Sequence, residues 1–398
     1  MTNDHLRRPA DAALLAGGGL LFIGWSSLLV PSLIRSIEHD FGQTDAALGV
    51  FFFVNAVAYA TGSMVGGLLT ERFGRRVVLP IAALLIAIGL MAVGTVPSWT
   101  LFLAAAIPFG AGSGAIDGGT NGLVLDLYPT SRGRALNLLH LFFSVGALMA
   151  PLIVGRAVES GLSWQVVVIG TGLAAVPLAV AFVMVAMPSG RHTRSDETSG
   201  EAVGARIGFS WPLLALGIAI ACYVGSEVGV SDWLVRFLDS ASVGLATAAL
   251  SLLWASLTLG RLASAKWSDR FDHARFASIA AFAAAVALVG ATLVPSLPAS
   301  IVLFGVAGFA FGPVYPLIMA VAGDRFPGRS AAVSGFLSGF AVVGAVFYPP
   351  VMGFISVGIG LAAAMLGAAA LAVVGAVVLW WVSTLPGGRS ALISSGSS

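Results

Sequence analysis

Asp117, Asn121, His140 and Glu227 interrupt long apolar runs in this sequence, and their types and spacing can do chemistry. Asp117 and Asn121 are four positions apart, so on a helix they share one face. A carboxyl group shielded from water can be tuned to take up and release a proton near neutral pH. An imidazole at the same depth can share that proton or hold the carboxylate charged. Asp117 is therefore expected to be a proton-coupling carboxylate with His140 as its partner. The plainer alternative is a static hydrogen-bonded pair that ties two helices together.

Glu227 has Tyr223 one turn before it and Ser231 one turn after it on the same helical face. It is expected either to bond solute hydroxyls, to serve as a second proton site, or to pair with Arg261. Arg261 in turn either answers a carboxylate or recognises an anionic substrate, with the structural role the stronger reading. Rings and amides widen the set of substrate-binding candidates. Flat apolar faces of a sugar stack on aromatic rings while its hydroxyls seek carboxylates and amides. Trp25, Asn55, Asn121, Tyr223 and Tyr315 are the residues expected to line such a site, although a ring in a membrane helix commonly packs or anchors.

The elements that must position these residues follow from composition. Hydrophobic residues make up 58% of the 398 and charged residues 10%, and mean hydropathy is +0.97. No water-soluble domain of this length needs that balance. Apolar runs of twenty or more residues recur, each long enough to cross a hydrocarbon core of roughly 30 Å as a helix rising about 1.5 Å per residue. Twelve spans are predicted, among them 12–37, 46–70, 99–127, 133–158, 210–238, 243–268, 298–324 and 358–385. Asp117 then lies about nine residues, or ~13 Å, from one end of the fourth span, near the midplane. The architecture is thus all-α, a twelve-span membrane protein.

Arginines fall in alternate connections, including Arg72, Arg75 and Arg76, Arg132 and Arg134, and Arg270 and Arg275. Basic residues favour the cytoplasmic side, so both termini are expected inside, in an inner membrane. A single cysteine, Cys222, leaves no internal disulfide and no multi-cysteine metal site. No nucleotide-binding loop or paired metal-ligand histidines occur. An enzyme, a cofactor, a metal and a nucleic-acid partner are accordingly not expected.

The chain repeats itself at an offset of 198 residues. Thr70-Glu71-Arg72-Phe73 falls on Ser268-Asp269-Arg270-Phe271, Gly110 and Gly114 fall on Gly308 and Gly312, Asp126 falls on Asp324, and Pro151 falls on Pro349. Domains are expected at 1–187 and 210–398, two six-helix bundles joined by a polar linker at 188–209. Parallel halves of this kind are how secondary transporters build alternating access around a midplane site.

The segment from Gly67 to Arg76, Gly-Leu-Leu-Thr-Glu-Arg-Phe-Gly-Arg-Arg, resembles the loop motif of the major facilitator superfamily, with Glu71 where Asp is usual. That resemblance implies a charged cytoplasmic latch of Gly67, Glu71, Arg72, Gly74, Arg75 and Arg76, with Asp269 and Arg270 as the counterpart in the second half. Three shorter stretches, 114–121, 138–147 and 223–228, resemble the fucose permease-like branch of sugar:proton symporters. In that branch an acidic residue on the first helix precedes a proline by four positions. Here Ser27 precedes Pro31, which argues against a mechanism needing carboxylates on the first and fourth spans together. The implied function is proton-coupled symport of a small neutral solute such as a monosaccharide by a monomer. A proton-linked exporter of amphipathic compounds is the alternative.

Overall fold

The computed structural model describes residues 4–188, 210–326 and 330–386. They form fourteen α-helices and one short 3-10 turn: α1 (Asp4–Ser27), α2 (Leu29–Phe41), α3 (Asp45–Phe73), α4 (Arg75–Thr95), α5 (Trp99–Leu127), α6 (Arg132–Glu159), α7 (Trp164–Met184), α8 (Trp211–Phe237), α9 (Val243–Trp267), α10 (His273–Leu293), α11 (Leu297–Phe311), α12 (Val314–Arg325), α13 (Ser330–Ile359) and α14 (Leu361–Thr384). Twelve stretches among the described residues are long and apolar enough to cross a membrane, from Pro9–Phe41 to Leu361–Thr384. Large apolar side chains are exposed along them, such as Met64, Leu68, Ile81, Phe282 and Val302. In lipid such side chains carry no penalty, and backbone polar groups are satisfied within each helix.

Two predicted spans are each broken into two helices. The first parts at Leu28, where Pro31 removes the amide donor that would continue the α1 ladder. The tenth, predicted as 298–324, parts at Gly312 and Pro313 into α11 and α12. Discontinuous helices free backbone groups at membrane depth, an arrangement common where transporters bind their cargo. At the other end of the scale, one residue separates α3 from α4. Gly74 sits there at φ 86°, a region costly for any side chain with a Cβ.

Contacts divide the chain into two compact units, Met1–Arg194 with Asp239–Ser251, and Ser195–Leu238 with Leu252–Ser398. The linker of the sequence reading lies outside the described residues from 189 to 209. In the first unit α3 packs on α5, α4 on α5 and α7, and α1 on α6. The segment opening α9 belongs to this unit: Arg35 Nη1 donates to Ala241 O at 2.8 Å, and the Gly244 amide donates to Glu159 Oε1 at 2.7 Å. In the second unit α8 packs on α13 and α14, and α10 on α11 and α14.

Without a hydrophobic drive between helices in lipid, small residues that let backbones meet supply the packing. A Cβ on Gly110 would meet Asn55 O, and one on Gly114 would overlap Tyr59 O. The repeat reproduces both contacts 198 residues on, where Gly308 abuts Leu253 O and Gly312 abuts Leu257 O. The glycine stripe of α5 is therefore the seam with α3.

The polar ties between helix ends are copied in position but not in chemistry. Arg75 is 5% exposed; its Nη2 donates to Asp126 Oδ2 at 2.6 Å and its Nη1 to Pro188 O at 3.3 Å. Adding the offset to these three positions gives His273, Asp324 and Pro386. His273 Nδ1 lies 3.1 Å from Asp324 Oδ2, while Arg325 reaches Pro386 O at 3.4 Å and Val382 O at 2.6 Å. One arginine thus joins three helix ends in the first unit, and two side chains divide that work in the second.

Arg75→Met is expected to cost about 1.5–3 kcal/mol, the scale of lost hydrogen bonds to a charged group, read as a lower unfolding temperature of the detergent-solubilised protein. Arg75→Lys is expected not to restore it, because one ammonium cannot span both acceptors. In the same assay Gly114→Val is expected to destabilise far more than Gly170→Val, since a Cβ at Gly170 meets nothing within 4 Å.

Candidate functional site

Asp117 lies in the second half of α5, part-buried, one turn after the Gly114 seam. Its helical neighbour Asn121 donates from Nδ2 to Asp117 Oδ1 at 2.9 Å and to Asp117 O at 2.9 Å. The amide oxygen of Asn121 is buried without a partner. The Tyr59 hydroxyl from α3 and His140 of α6 also act on the carboxyl group of Asp117. Three helices therefore deliver a carboxylate, an amide, a phenol and an imidazole to one place. Tyr59 reaches Asp117 because Gly114 and Gly118 bring α3 and α5 together, with a Cβ on Gly118 coming within 3.0 Å of Ser63 O.

This cluster can hold Asp117 in either charge state. As a carboxylate it accepts from Asn121 Nδ2; as an acid it keeps spare acceptor capacity, and the imidazole can give or take the proton. Sequence reasoning reached Asp117, Asn121 and His140 but passed over Tyr59. The available signal was a phenol inside an apolar span, but only the seam between α3 and α5 shows which residue it meets.

The remaining first-unit candidates make other bonds. Trp25 Nε1 donates to Thr171 Oγ1 of α7 at 3.2 Å, three residues before the break at Leu28. Asn55 Nδ2 donates to Ala106 O at 3.3 Å, which ties α3 to α5. A surface groove of about 400 Å³ is lined by Arg35, His39, Asp40, Trp164 and Gln165 and does not include the Asp117 cluster. Its Asp40 carboxylate accepts from Trp164 Nε1 at 2.6 Å and Gln165 Nε2 at 3.0 Å.

A second polar group lies inside the other unit. Glu227 Oε1 and Arg261 Nη2 are 3.8 Å apart, with Glu227 buried and Arg261 about a third exposed. Tyr223 is buried one turn earlier on α8. Its ring meets Phe311 at 5.7 Å and Tyr315 at 6.4 Å between centroids, so the residues around the α11–α12 break converge on α8. Tyr223 Oη, Glu227 Oε2, Ser231 Oγ and Arg261 Nε are all buried with no hydrogen-bond partner.

The latch residues occupy the helix ends. Glu71 and Arg72 are exposed in the last turn of α3, with the Arg72 guanidinium 5.2 Å from the centre of the Phe73 ring. Gly67 is open, with nothing within 4 Å of a Cβ. Arg76 is exposed, and Arg75 is the buried member, bonded as described above. Arg270 closes the 3-10 turn Ser268–Arg270 and is exposed. The side chain of Asp269 lies outside the described residues. No group of three or more potential metal-ligating side chains occurs among the described residues.

A family model for the Major Facilitator Superfamily matches residues 14–297 and 205–397. The gentisate transporter of Corynebacterium glutamicum is 24% identical over 385 residues, covering 92% of this chain and 86% of that protein. A bacterial homolog of the human lysosomal transporter Spinster superposes with a TM-score of 0.78 at 17% identity, covering 96% of this chain and 98% of the other. The E. coli fucose:proton symporter superposes with a TM-score of 0.62 at 19% identity, covering 94% and 98%. Twelve spans, the 198-residue repeat and a family model that runs across both halves lead to one conclusion: this chain is a transport protein of the Major Facilitator Superfamily.

Proposed function

We propose that this protein couples the movement of a small polar solute to that of a proton, with Asp117 as the proton carrier. The observation that carries the reading is the convergence of Asn121, Tyr59 and His140 on that one carboxyl group. A structural ion pair needs a fixed charge, whereas this set of partners serves both the charged and the neutral form. The buried, unpartnered amide oxygen of Asn121 offers an acceptor to a solute hydroxyl beside the proton site. Binding of proton and solute is then coupled through Asn121, since its amide orients to suit both.

A monosaccharide is the solute class that the Asp117–Asn121 pair and the fucose permease-like stretches support. Among the similar proteins, one is named a gentisate transporter and another a fucose:proton symporter, so solutes of both kinds occur among them. Arginine placement supports an inner-membrane orientation with both termini cytoplasmic, and the 198-residue repeat supports two bundles, 1–187 and 210–398, joined by 188–209; a monomer is part of the same proposal. Arg75, tied to Asp126 and Pro188 O, fits a latch that fixes helix ends on that side, with Glu71, Arg72 and Arg270 exposed around it.

External pH in lightly buffered, de-energised vesicles containing the protein tests this. Addition of a transported solute is expected to alkalinise the medium. Asp117→Asn is expected to abolish that signal while leaving solute exchange between the two sides intact. Loss of about one hydrogen bond in Asn121→Ala is expected to weaken apparent solute affinity by about tenfold. Proton-driven efflux of amphipathic compounds with no response to small polar solutes would instead establish the exporter reading.

A further inference from the structure

The second unit holds a charged pair that the Asp117 cluster does not use, and its surroundings are unfinished. Arg261 stands on α9 six residues before its end, with Glu227 of α8 at 3.8 Å, beyond a direct hydrogen bond. Two atoms of the pair, Glu227 Oε2 and Arg261 Nε, and two hydroxyls one turn either side of Glu227 on α8, Tyr223 Oη and Ser231 Oγ, are buried and unpartnered. Tyr223, Glu227 and Ser231 are 2%, 7% and 3% exposed. A half-satisfied buried network is worse than an apolar core, so these atoms mark a place completed by something else. The guanidinium is the accessible member, and one turn before Glu227 on α8 the ring of Tyr223 packs with those of Phe311 and Tyr315. The backbone of Arg261 is itself pressed against the break between α11 and α12, where a Cβ on Gly312 would lie 2.6 Å from Arg261 N.

Charge balance narrows what can complete the site. An added cation would leave Arg261 facing a like charge. A neutral ligand would satisfy hydroxyls but would not use a guanidinium whose charge is held by a carboxylate at long range. An added carboxylate fits if Glu227 takes up a proton as it enters, because Arg261 then keeps one counter-charge throughout. Lys266, the other charged residue of α9, lies five positions beyond Arg261 and is exposed. Arg261 is the charged group acting on it; α11, α13 and α14 bring no Asp, Glu, Lys, Arg or His. The tyrosine of α13, Tyr348, donates to Ala364 O at 2.9 Å. Tyr315 comes from α12, whose Asp324 and Arg325 are bonded at its far end, and Asp232 and Arg236 lie on the following turns of α8.

We propose that Arg261 is the solute-binding residue for a small aromatic monocarboxylate, and that the carboxylate displaces Glu227, which takes one proton from water as the solute binds. No covalent bond changes: the ion pair passes from Glu227 to the solute, and the proton returns to water when the solute leaves. The aromatic body of the solute lies against Tyr223 and Tyr315, and Tyr223 Oη supplies a donor to the incoming carboxylate. This inference rests on the reading of the chain as a proton-coupled transporter, and it adds to it an anionic solute class bound in the second unit.

Calorimetric titration of the purified full-length protein with benzoate, with benzyl alcohol as the neutral counterpart, tests it. Run in buffers of different ionisation enthalpy, the titration also counts protons taken up. Expected are benzoate binding well above that of benzyl alcohol, uptake of one proton per benzoate, and a loss of about a hundredfold in benzoate affinity in Arg261→Met. Glu227→Gln, which keeps the shape and removes the charge, is expected to bind benzoate at least as tightly and take up no proton. Equal binding of benzoate and benzyl alcohol, or wild-type affinity in Arg261→Met, overturns the proposal. Failure of benzoate to bind while another solute still drives proton entry through Asp117 overturns this inference and leaves the proton-coupling reading standing. Benzoate binding that depends on Arg261, with no proton movement across vesicles for any solute, does the reverse.

Discussion

Water is absent from the hydrocarbon interior, so each polar atom there must find its partner in the chain or in what the chain carries. Helices solve this for the backbone and leave side chains as the exceptions. The exceptions here are few and grouped. The Asp117 carboxyl group has a bonded amide on its own helix and groups from two others acting on it, with one buried unpartnered atom, Asn121 Oδ1, whereas the group around Glu227 and Arg261 retains four. That contrast gives the two groups different work. A satisfied carboxyl can change charge without moving its neighbours, and an unsatisfied pair waits for a ligand.

Duplication explains how both groups came to lie on similar scaffolds. Close approach of backbones across a glycine seam depends only on the absence of a Cβ, and it persists in both copies, as at Gly114 with Tyr59 O and Gly312 with Leu257 O. Side-chain chemistry was free to diverge around that frame. Asp117 has Tyr315 at the equivalent position, and the Arg75–Asp126 tie has become His273–Asp324 with Arg325 moved to a neighbouring role. The helix break at Gly312–Pro313 falls two residues before Tyr315, so the second copy places irregular backbone where the first places its carboxylate.

Much of the frame was legible because it rests on local or periodic signals. Span lengths follow from hydropathy, and the repeat follows from matching residues at one offset. The Asp117–Asn121 bond follows from helical spacing alone. What stayed hidden depends on which helices meet. Tyr59 acts on Asp117 because α3 and α5 share a seam, and Arg75 is buried between Asp126 and Pro188 although its sequence neighbours Arg72 and Arg76 are exposed. Asn55 looks like a cavity residue by type, yet its amide holds Ala106 O. The breaks at Leu28 and at Gly312–Pro313 were also invisible to hydropathy, which averages over the few residues where a ladder stops.

The central claim is that Asp117 itself changes protonation during the transport cycle. Infrared difference spectroscopy of the reconstituted protein between alkaline and mildly acidic medium reads this at the group concerned, through the carbonyl stretch of a protonated carboxylic acid. The account predicts a band that grows as pH falls, shifts when Asn121 is changed to Ala, and is missing in Asp117→Asn. A spectrum identical in the wild type and Asp117→Asn would contradict it, because the proton would then reside elsewhere.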